Sequence, residues 1–203
     1  MKVAQSAPVH GRTRWRRFAL VSTAALVAAG AMLVAMANGA IAASFSVSGS
    51  TFKVSADVLE GDGFAQYGGV ATQKNGNQIP VAVSGIKSAS LSNLCQSVVV
   101  PGTPISLVIR AGRGTPATAT DLLIDMTQLS GDATFTNISI GQDASTLTKG
   151  GTNAVGQAGG FGQQADHVKI VGLRQVAWST SAGTFALNGL DLHVSLSKEE
   201  CFV

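Results

Sequence analysis

Beyond residue 43 the hydrophobic and polar side chains of this chain alternate with a period of two. The longest runs of alternation cover residues 52–58 and 190–196, and shorter ones lie at 45–47, 81–83, 89–91 and 133–135. Alternation of this kind predicts β-strands that bury one face and expose the other to water. In the last long run we expect the Leu and Val side chains to face the core: Leu190, Leu192, Val194 and Leu196.

Turn-forming residues separate these runs. They are Gly49-Ser50, Gly61-Asp62-Gly63, Asn75-Gly76, Pro101-Gly102, Gly131-Asp132 and Gly183. Asn75-Gly76 is the best hairpin signal, because a type I′ turn needs two residues that tolerate a positive φ. Strands and turns in this order predict an all-β domain, built as an antiparallel β-sandwich or a half-open β-sheet.

Two segments fit this pattern less well. Residues 115–130 can be interpreted as a capped amphipathic helix or as a strand, and their β-branched residues favour the strand. Residues 150–164 carry six glycines and no charge. Because dense glycine is rare in regular elements, this second segment is predicted to be a flexible surface loop.

The N-terminal part of the chain has the features of an export signal. Four arginines lie between Arg12 and Arg17, and an apolar run without any charged residue follows from Phe18. Ala40, Ala42 and Ala43 provide the small residues that a signal peptidase requires. Residues 1–43 are therefore predicted to be a signal peptide or a single-pass membrane anchor, and residues 44–203 an extracytoplasmic β-rich domain.

Cleavage and retention of this leader both remain open. The apolar run is long enough for a signal-peptide core and also for a bilayer span, which needs about 20 residues. In either case the basic residues precede the run, so the positive-inside rule places the C-terminal domain outside the cytoplasm. The expected localisation is extracytoplasmic, either anchored in the membrane or secreted after cleavage.

The charge of the chain is divided unevenly. The sequence pI is about 9.1, but five of the 14 Lys and Arg residues lie in residues 1–17, whereas all 11 acidic residues lie beyond them. The C-terminal part therefore has nine basic and 11 acidic residues, a net charge of −2. Without a basic patch, and with few aromatic residues, nucleic-acid binding is not expected.

The two cysteines, Cys95 and Cys201, both lie in the predicted outer domain. In an oxidising compartment they are expected to form one disulfide. Such a bond closes a loop of about 107 residues, and chain entropy predicts a stabilisation of roughly 4–5 kcal/mol. Neither cysteine has a His or a second Cys nearby, so no metal site or cofactor is expected from them.

Candidate catalytic residues are sparse. Asp191, His193 and Ser195 are the residue types of a hydrolase triad, but they share one strand face. Residues two apart on a strand are separated by roughly 6.5–7 Å and point outward in parallel, so we expect a solvated strand face rather than a relay. His193 is retained as a weak candidate for a general base, and His167 as a weaker one.

Metal-binding patterns are equally thin. Asp166-His167 is an isolated pair, and Asp191 with His193 offers two ligands at most. Glu60-Gly61-Asp62-Gly63 resembles a fragment of a calcium loop without its remaining carboxylates. We expect solvated turns and strand faces at these positions, with no catalytic, cofactor or metal residues assigned.

Several motifs resemble a family of actinobacterial exported proteins of unknown function. They are Arg12–Phe18, Ala42–Gly49 leading into Phe52–Asp57, Gly63–Gly68, Asn93–Gln96 and Asp125–Gly131. The resemblance covers nearly the whole chain. Some members of the family carry the automatic label cholesterol esterase, and members tend to be encoded beside a small multi-pass membrane protein. The resemblance thus implies such a protein as a partner, and it supplies no catalytic residues.

The sequence therefore predicts an envelope-associated β-rich protein of non-enzymatic character. The expected partners are the membrane, an apolar or lipid ligand, or a membrane protein. The alternatives are a lipid-ester hydrolase, as the esterase label implies, and a purely structural surface component.

Overall fold

Ten β-strands make up most of the chain that the structure, a computed structural model, describes, namely residues 46–203. Their bounds are β1 Ser46–Val47, β2 Phe52–Gln73, β3 Gln78–Ser92, β4 Leu94–Val99, β5 Ser106–Ala111, β6 Ala117–Thr136, β7 Ser139–Asp143, β8 Phe161–Ser181, β9 Thr184–Ala186 and β10 Asp191–Ser195. A single turn of 3₁₀ helix covers Ala144–Thr146. The all-β prediction is confirmed. All strand pairs are antiparallel except β1 with β2.

The predicted leader, residues 1–43, with the cleavage-site residues Ala40, Ala42 and Ala43, lies outside the described residues. Within residues 46–203, none of the helical structure has the length and apolar character needed to span a bilayer.

Four long strands close on themselves. β2 pairs with β3, β3 with β6, β6 with β8, and β8 returns to β2. The closing pair β2–β8 runs from Phe52 opposite Ala177 to Tyr67 opposite Gly162. Because each of these strands has a neighbour on both edges over much of its length, most of its backbone polar groups are satisfied within the sheet.

Three shorter strands extend this arrangement into a wing, which we define as β4, β5 and β10. β4 continues β3 along the edge of β2, after Asn93 adopts a left-handed conformation with φ 52°. β5 pairs with β4, and β10 pairs with β5 as the last strand on that side. The wing therefore has one sheet edge, formed by β10, that no described strand covers.

Two hydrophobic clusters lie on opposite faces of β2. Phe64 belongs to the first cluster and its neighbour Ala65 to the second, and successive strand residues point to opposite faces. The first cluster gathers inward-facing side chains from all four long strands, including Leu59, Ile86, Leu122, Val168 and Leu173. The second cluster joins Tyr67, Val81 and Val83 to residues of the segment that connects β7 with β8.

The segment predicted to be a flexible surface loop, residues 150–164, is packed against the sheet at Gly150 and Ala154. Ala154 is 3% exposed and belongs to the second cluster, and Phe161 already begins β8. The glycines here allow close approach, since a Cβ at Gly150 would lie 2.5 Å from the Cβ of Ala65. The prediction of a surface loop is correct for residues 150–160, most of which are exposed, but Gly150 and Ala154 are buried against the sheet.

The turn predictions are correct in part. Residues 74–77 join β2 to β3, as Asn75-Gly76 predicted. However, only Gly76 has a positive φ, of 86°, so the turn is not type I′. Its hydrogen bonds, from the N–H of Gly76 to the carbonyl of Gln73 and from the N–H of Gln73 to that of Asn77, define a longer loop.

Two predicted turns lie inside strands. Gly61-Asp62-Gly63 is in the middle of β2, and Gly131-Asp132 is in β6 at a shift in the pairing with β8. Gly61 is required for packing, because a Cβ there would lie 2.5 Å from Cγ2 of Ile86. By contrast, residues 117–130 of the ambiguous segment are in β6, which confirms the strand interpretation there.

Candidate functional site

The C-terminal tail, which we define as residues 196–203, crosses one face of the wing. Cys201 forms a disulfide with Cys95 of β4, with an S–S distance of 2.06 Å. This confirms the predicted pairing. The disulfide ties the tail to a strand 106 positions earlier in the chain.

Two buried serines of the wing hold the backbone of the tail. The Ser106 hydroxyl donates to the carbonyl of Ser197 (3.1 Å) and accepts from the N–H of Glu199 (3.0 Å). The Ser97 hydroxyl accepts from the N–H of Cys201 (3.0 Å). Since Ser97 and Ser106 are at most 2% exposed, the tail supplies partners that water cannot.

His193, the weak catalytic candidate, lies on the same face and contacts two carboxylates. Its Nδ1 is 3.1 Å from Oδ1 of Asp191, and its Nε2 is 3.3 Å from Oε2 of Glu199. Hydrogen bonds first to Asp191 and then to Glu199 raise the pKa of His193 above its usual value, although desolvation acts in the opposite direction. Arg110 also donates to Glu199, at 3.3 Å. The result is a charged cluster that attaches the tail to β5 and β10.

Asp191, His193 and Ser195 do not form a hydrolase relay in this geometry. Both imidazole nitrogens face carboxylates, while the Ser195 hydroxyl lies 3.0 Å from the hydroxyl of Ser197. The expectation that these side chains point outward without touching is wrong for Asp191 and His193. Their side chains are long enough to lean together along the strand, and Glu199 of the tail orients the ring from the other side.

The second histidine is also held by carboxylates. Nδ1 of His167 is 2.8 Å from Asp62, and its Nε2 is 3.5 Å from Glu60, both on the neighbouring strand β2. Asp166 points elsewhere and pairs with Lys149 and Asn137, which lower its pKa. Among residues 46–203, no group of three or more His, Cys, Asp or Glu side chains is arranged to hold a metal ion.

The opposite face of the wing is apolar and open. Leu192 and Val194 of β10 are 55% and 61% exposed, and the flanking Leu190 and Leu196 are 54% and 80% exposed. Leu192 is the direct cross-strand partner of Ile109, and Val194 is that of Leu107; both partners are half-buried residues of β5. We call the six residues the apolar face: Leu107, Ile109, Leu190, Leu192, Val194 and Leu196.

The expectation that the Leu and Val residues of β10 face a buried core is therefore wrong, although the alternation itself predicts the strand correctly. The apolar face does continue the inner surface of the closed sheet, because Ile109 pairs with Gln96 and Gln96 pairs with Val54 of the first cluster. Within the described chain no element covers the edge strand on this side.

Comparison with known families matches residues 48–202 to a family of unknown function, DUF6230. The chain belongs to this family. The match covers the whole strand arrangement from β2 to β10 and the disulfide, so these features lie within the family region. Neither the comparison with curated proteins nor that with solved structures finds a match.

Within this family region, sequence reasoning missed the tail contacts and the exposure of the apolar face. No sequence pattern around Glu199 predicts its contacts, because its partners His193 and Arg110 come together only through strand pairing and the disulfide. The exposure of Leu192 and Val194 depends on the position of β10 at the sheet edge, which a pattern of alternation does not contain.

Proposed function

We propose that this protein is an exported, non-enzymatic binding protein of the cell envelope, whose apolar face contacts a lipid surface. The exposed apolar face carries the proposal. The leader predicted from residues 1–43 supports the envelope location. Contiguous exposed apolar groups are uncommon on soluble proteins and are typical of interaction or membrane surfaces.

The predicted leader and the place of the apolar face at a sheet edge favour a lipid surface over other partners. Residues 49–51, which lead from β1 into β2, line a depression together with Val99 and Pro101 of the β4–β5 connection. That connection is also where β10 ends, since Ser195 pairs with Ser106 and Ser106 with Val99. A leader that keeps the domain at a membrane, as residues 1–43 are predicted to do, favours a lipid surface as the partner of Leu196 and the rest of the apolar face.

An apolar ligand enclosed within the sheet is less consistent with the packing. Inward-facing side chains fill the first cluster, where Leu173 is 1% and Val168 is 0% exposed. Two depressions on the described surface are lined largely by polar and charged residues. Binding of lipid at the surface, through the apolar face, is thus more consistent with this structure than binding of lipid in an internal cavity.

Vesicle flotation tests the proposal. Residues 44–203 form a compact unit, so the fragment that spans them removes the leader as a source of membrane binding. With phosphatidylcholine vesicles, the doubly substituted Leu192→Ser, Val194→Ser fragment is expected to partition about 30-fold more weakly. This follows from about 1 kcal/mol of apolar burial lost at each half-exposed position.

A matched control replaces two exposed apolar residues elsewhere, Ile140→Ser and Val155→Ser, which are 65% and 51% exposed. This control is expected to float like the unsubstituted fragment. Equal flotation of all three proteins, or none for the unsubstituted fragment, would reject the lipid surface. A concentration-dependent dimer in size-exclusion chromatography that the Leu192/Val194 pair abolishes would indicate a second copy instead.

A further inference from the structure

One row of cross-strand partners runs over the tail-bearing face of the sheet. Arg110 of β5 is opposite Cys95 of β4, Cys95 is opposite Ser55 of β2, and Ser55 is opposite Arg174 of β8. Arg174 is in turn opposite Ser130 of β6. Directly opposed residues of neighbouring strands share a face, so these five side chains project to the same side.

The row forms the floor of an open cleft of about 470 Å³. All five of its residues line the cleft, and Cys201 forms part of its wall on the tail side. Asp57 and Asn93, whose side chains share a hydrogen bond of 3.2 Å, line it as well. A volume of this order suits a small organic ligand or a headgroup.

The two arginines of the cleft differ in charge balance. Arg110 donates to Glu199 and is thereby neutralised. Arg174 is exposed and forms no ion pair with any residue of 46–203. Residues 1–45 contain no acidic side chain that could neutralise Arg174, because Asp57 is the first acidic residue of the chain.

The ring of Phe202 positions this free guanidinium. Cζ of Arg174 lies 5.9 Å from the ring centroid, and Nζ of Lys53 lies 5.1 Å from the same centroid. The neighbouring Cys201 fixes the ring through the disulfide. Stacking on an aromatic ring leaves the edge of a guanidinium free to donate in a bidentate manner. The hydroxyl of Ser55, on the neighbouring strand β2, is a further donor, whereas the hydroxyl of Ser130 donates to the carbonyl of Arg174 (3.4 Å).

We propose that this cleft binds a phosphate ester with a polyol group. Arg174 holds the phosphate through charge-assisted hydrogen bonds, which the adjacent hydroxyl of Ser55 supplements. Asp57 follows Ser55 by two positions on the same strand face, and there its carboxylate accepts hydrogen bonds from the polyol. The site lies on the opposite side of the sheet from the apolar face and does not depend on it.

Isothermal titration calorimetry of the full-length protein in a non-ionic detergent tests the site. The probes are inorganic phosphate, glycerol 3-phosphate and monomeric dihexanoyl phosphatidic acid. Glycerol 3-phosphate is expected to bind more tightly than inorganic phosphate. Tighter binding of the phosphatidic acid than of glycerol 3-phosphate would identify a lipid headgroup as the natural ligand. Equal affinity for the two probes would identify a soluble phosphate ester.

The substitution Arg174→Gln is expected to weaken glycerol 3-phosphate binding at least about tenfold, as loss of a charged hydrogen-bonding partner does. Arg113→Gln makes the same charge change in the exposed loop after β5 and should leave affinity unchanged. Asp57→Asn should remove the preference for glycerol 3-phosphate over inorganic phosphate. Phe202→Leu and reduction of the disulfide should both weaken binding, because each releases the ring beneath Arg174.

Saturable binding that Arg174→Gln leaves unaltered would overturn the site, as would no binding of any of the three probes at millimolar concentration. Unchanged thermal unfolding of the Arg174→Gln protein shows that a loss of binding is not a loss of fold. If that variant unfolds early, Arg174→Lys provides the second measurement. It keeps the charge but loses the bidentate fork, so an affinity equal to that of the unsubstituted protein would count against the proposal.

Discussion

At the scale of single residues, tight packing explains positions that local sequence signals misassign. Gly61 is a residue type typical of turns, yet it lies in β2, where the side chain of Ile86 occupies the space that a Cβ would need. Ser97 and Ser106 are polar by type, yet they are buried because the tail satisfies their hydroxyls. In each case a partner distant in sequence determines what the residue does.

Two glycines of β2 allow a direct test of this view. Gly61→Ala is expected to lower the free energy of unfolding by about 1–3 kcal/mol, because the new Cβ would lie 2.5 Å from Cγ2 of Ile86. Gly68→Ala should be neutral or slightly stabilising, since nothing lies within 4 Å of a Cβ there and its φ is not positive. Urea denaturation measures both, and equal effects would contradict the packing argument.

His193 makes the stability of the protein depend on pH. Its pKa is raised in the folded state, so its contribution is fully present below the unfolded pKa of about 6.5. The contribution is lost as the pH rises through the higher folded pKa. The melting temperature of the unsubstituted protein should therefore exceed that of His193→Gln at pH 5.5, and the difference should shrink by pH 8.5.

The carboxylate partner does not obscure this comparison. Hydrogen bonding to His193 is the main cause that lowers the pKa of Glu199, and a lowered carboxyl pKa affects stability only at more acidic pH. A difference between the two proteins that stays constant from pH 5.5 to 8.5 would show that the histidine contributes by packing alone.

At the scale of elements, the connection between β7 and β8 acts as a packed layer. Asp143 caps the 3₁₀ turn, and its carboxylate accepts from the N–H of Ser145 (2.9 Å) and from that of Gly159 (2.7 Å). Ala154 then seals the second cluster over Val83 and Tyr67. The segment is rich in glycine because its backbone must approach the sheet closely.

Substitutions at two adjacent residues of this segment test the packing. Ala154→Asp is expected to release the segment, because it places a charge at a position that is 3% exposed. Val155→Asp, at a position that is 51% exposed, should leave it in place. Limited proteolysis followed by mass spectrometry should find new cleavages within residues 147–160 for the first protein only; cleavage of both, or of neither, would be inconsistent with the described packing.

The sequence predicts local features of this fold well and long-range ones poorly. Alternation at Phe52–Val58 predicts a strand because the side chains of one face, such as Val54 and Ala56, are buried, and that is a local property. Alternation at Leu190–Leu196 also predicts a strand, but which face is covered depends on neighbours more than 80 positions away. The disulfide was predictable because Cys95 and Cys201 have no other cysteine to pair with. The contact of Glu199 with His193 was not.

At the scale of the whole molecule, the disulfide joins two parts of the structure that hydrogen bonds alone would hold weakly. It fixes the tail across the wing, next to the ion pairs Lys53–Glu200 and Arg110–Glu199, which are partly exposed and contribute little alone. Val108, which lies on the same strand face between the tail-binding residues Ser106 and Arg110, is 0% exposed.

Removal of this disulfide should therefore be costly. The Cys95→Ser, Cys201→Ser protein is expected to lose roughly 4–5 kcal/mol of unfolding free energy in chemical denaturation, the entropic value for a loop of this length. The unsubstituted protein with its disulfide reduced provides the control and should show the same loss. A loss below about 1 kcal/mol in both would show that the bond does not constrain the unfolded chain as expected.

Closure of the sheet also has a kinetic consequence. β2 and β3 are joined by a short hairpin, but the other edge of β2 pairs with β8, where Phe52 meets Ala177 more than a hundred positions later. Folding that depends on such distant contacts is slow, on the order of milliseconds to seconds for small β proteins. Until β8 arrives, the edge of β2 is an open template for strands of other chains. The rate at which β8 docks thus sets how long a newly made molecule is exposed to aggregation.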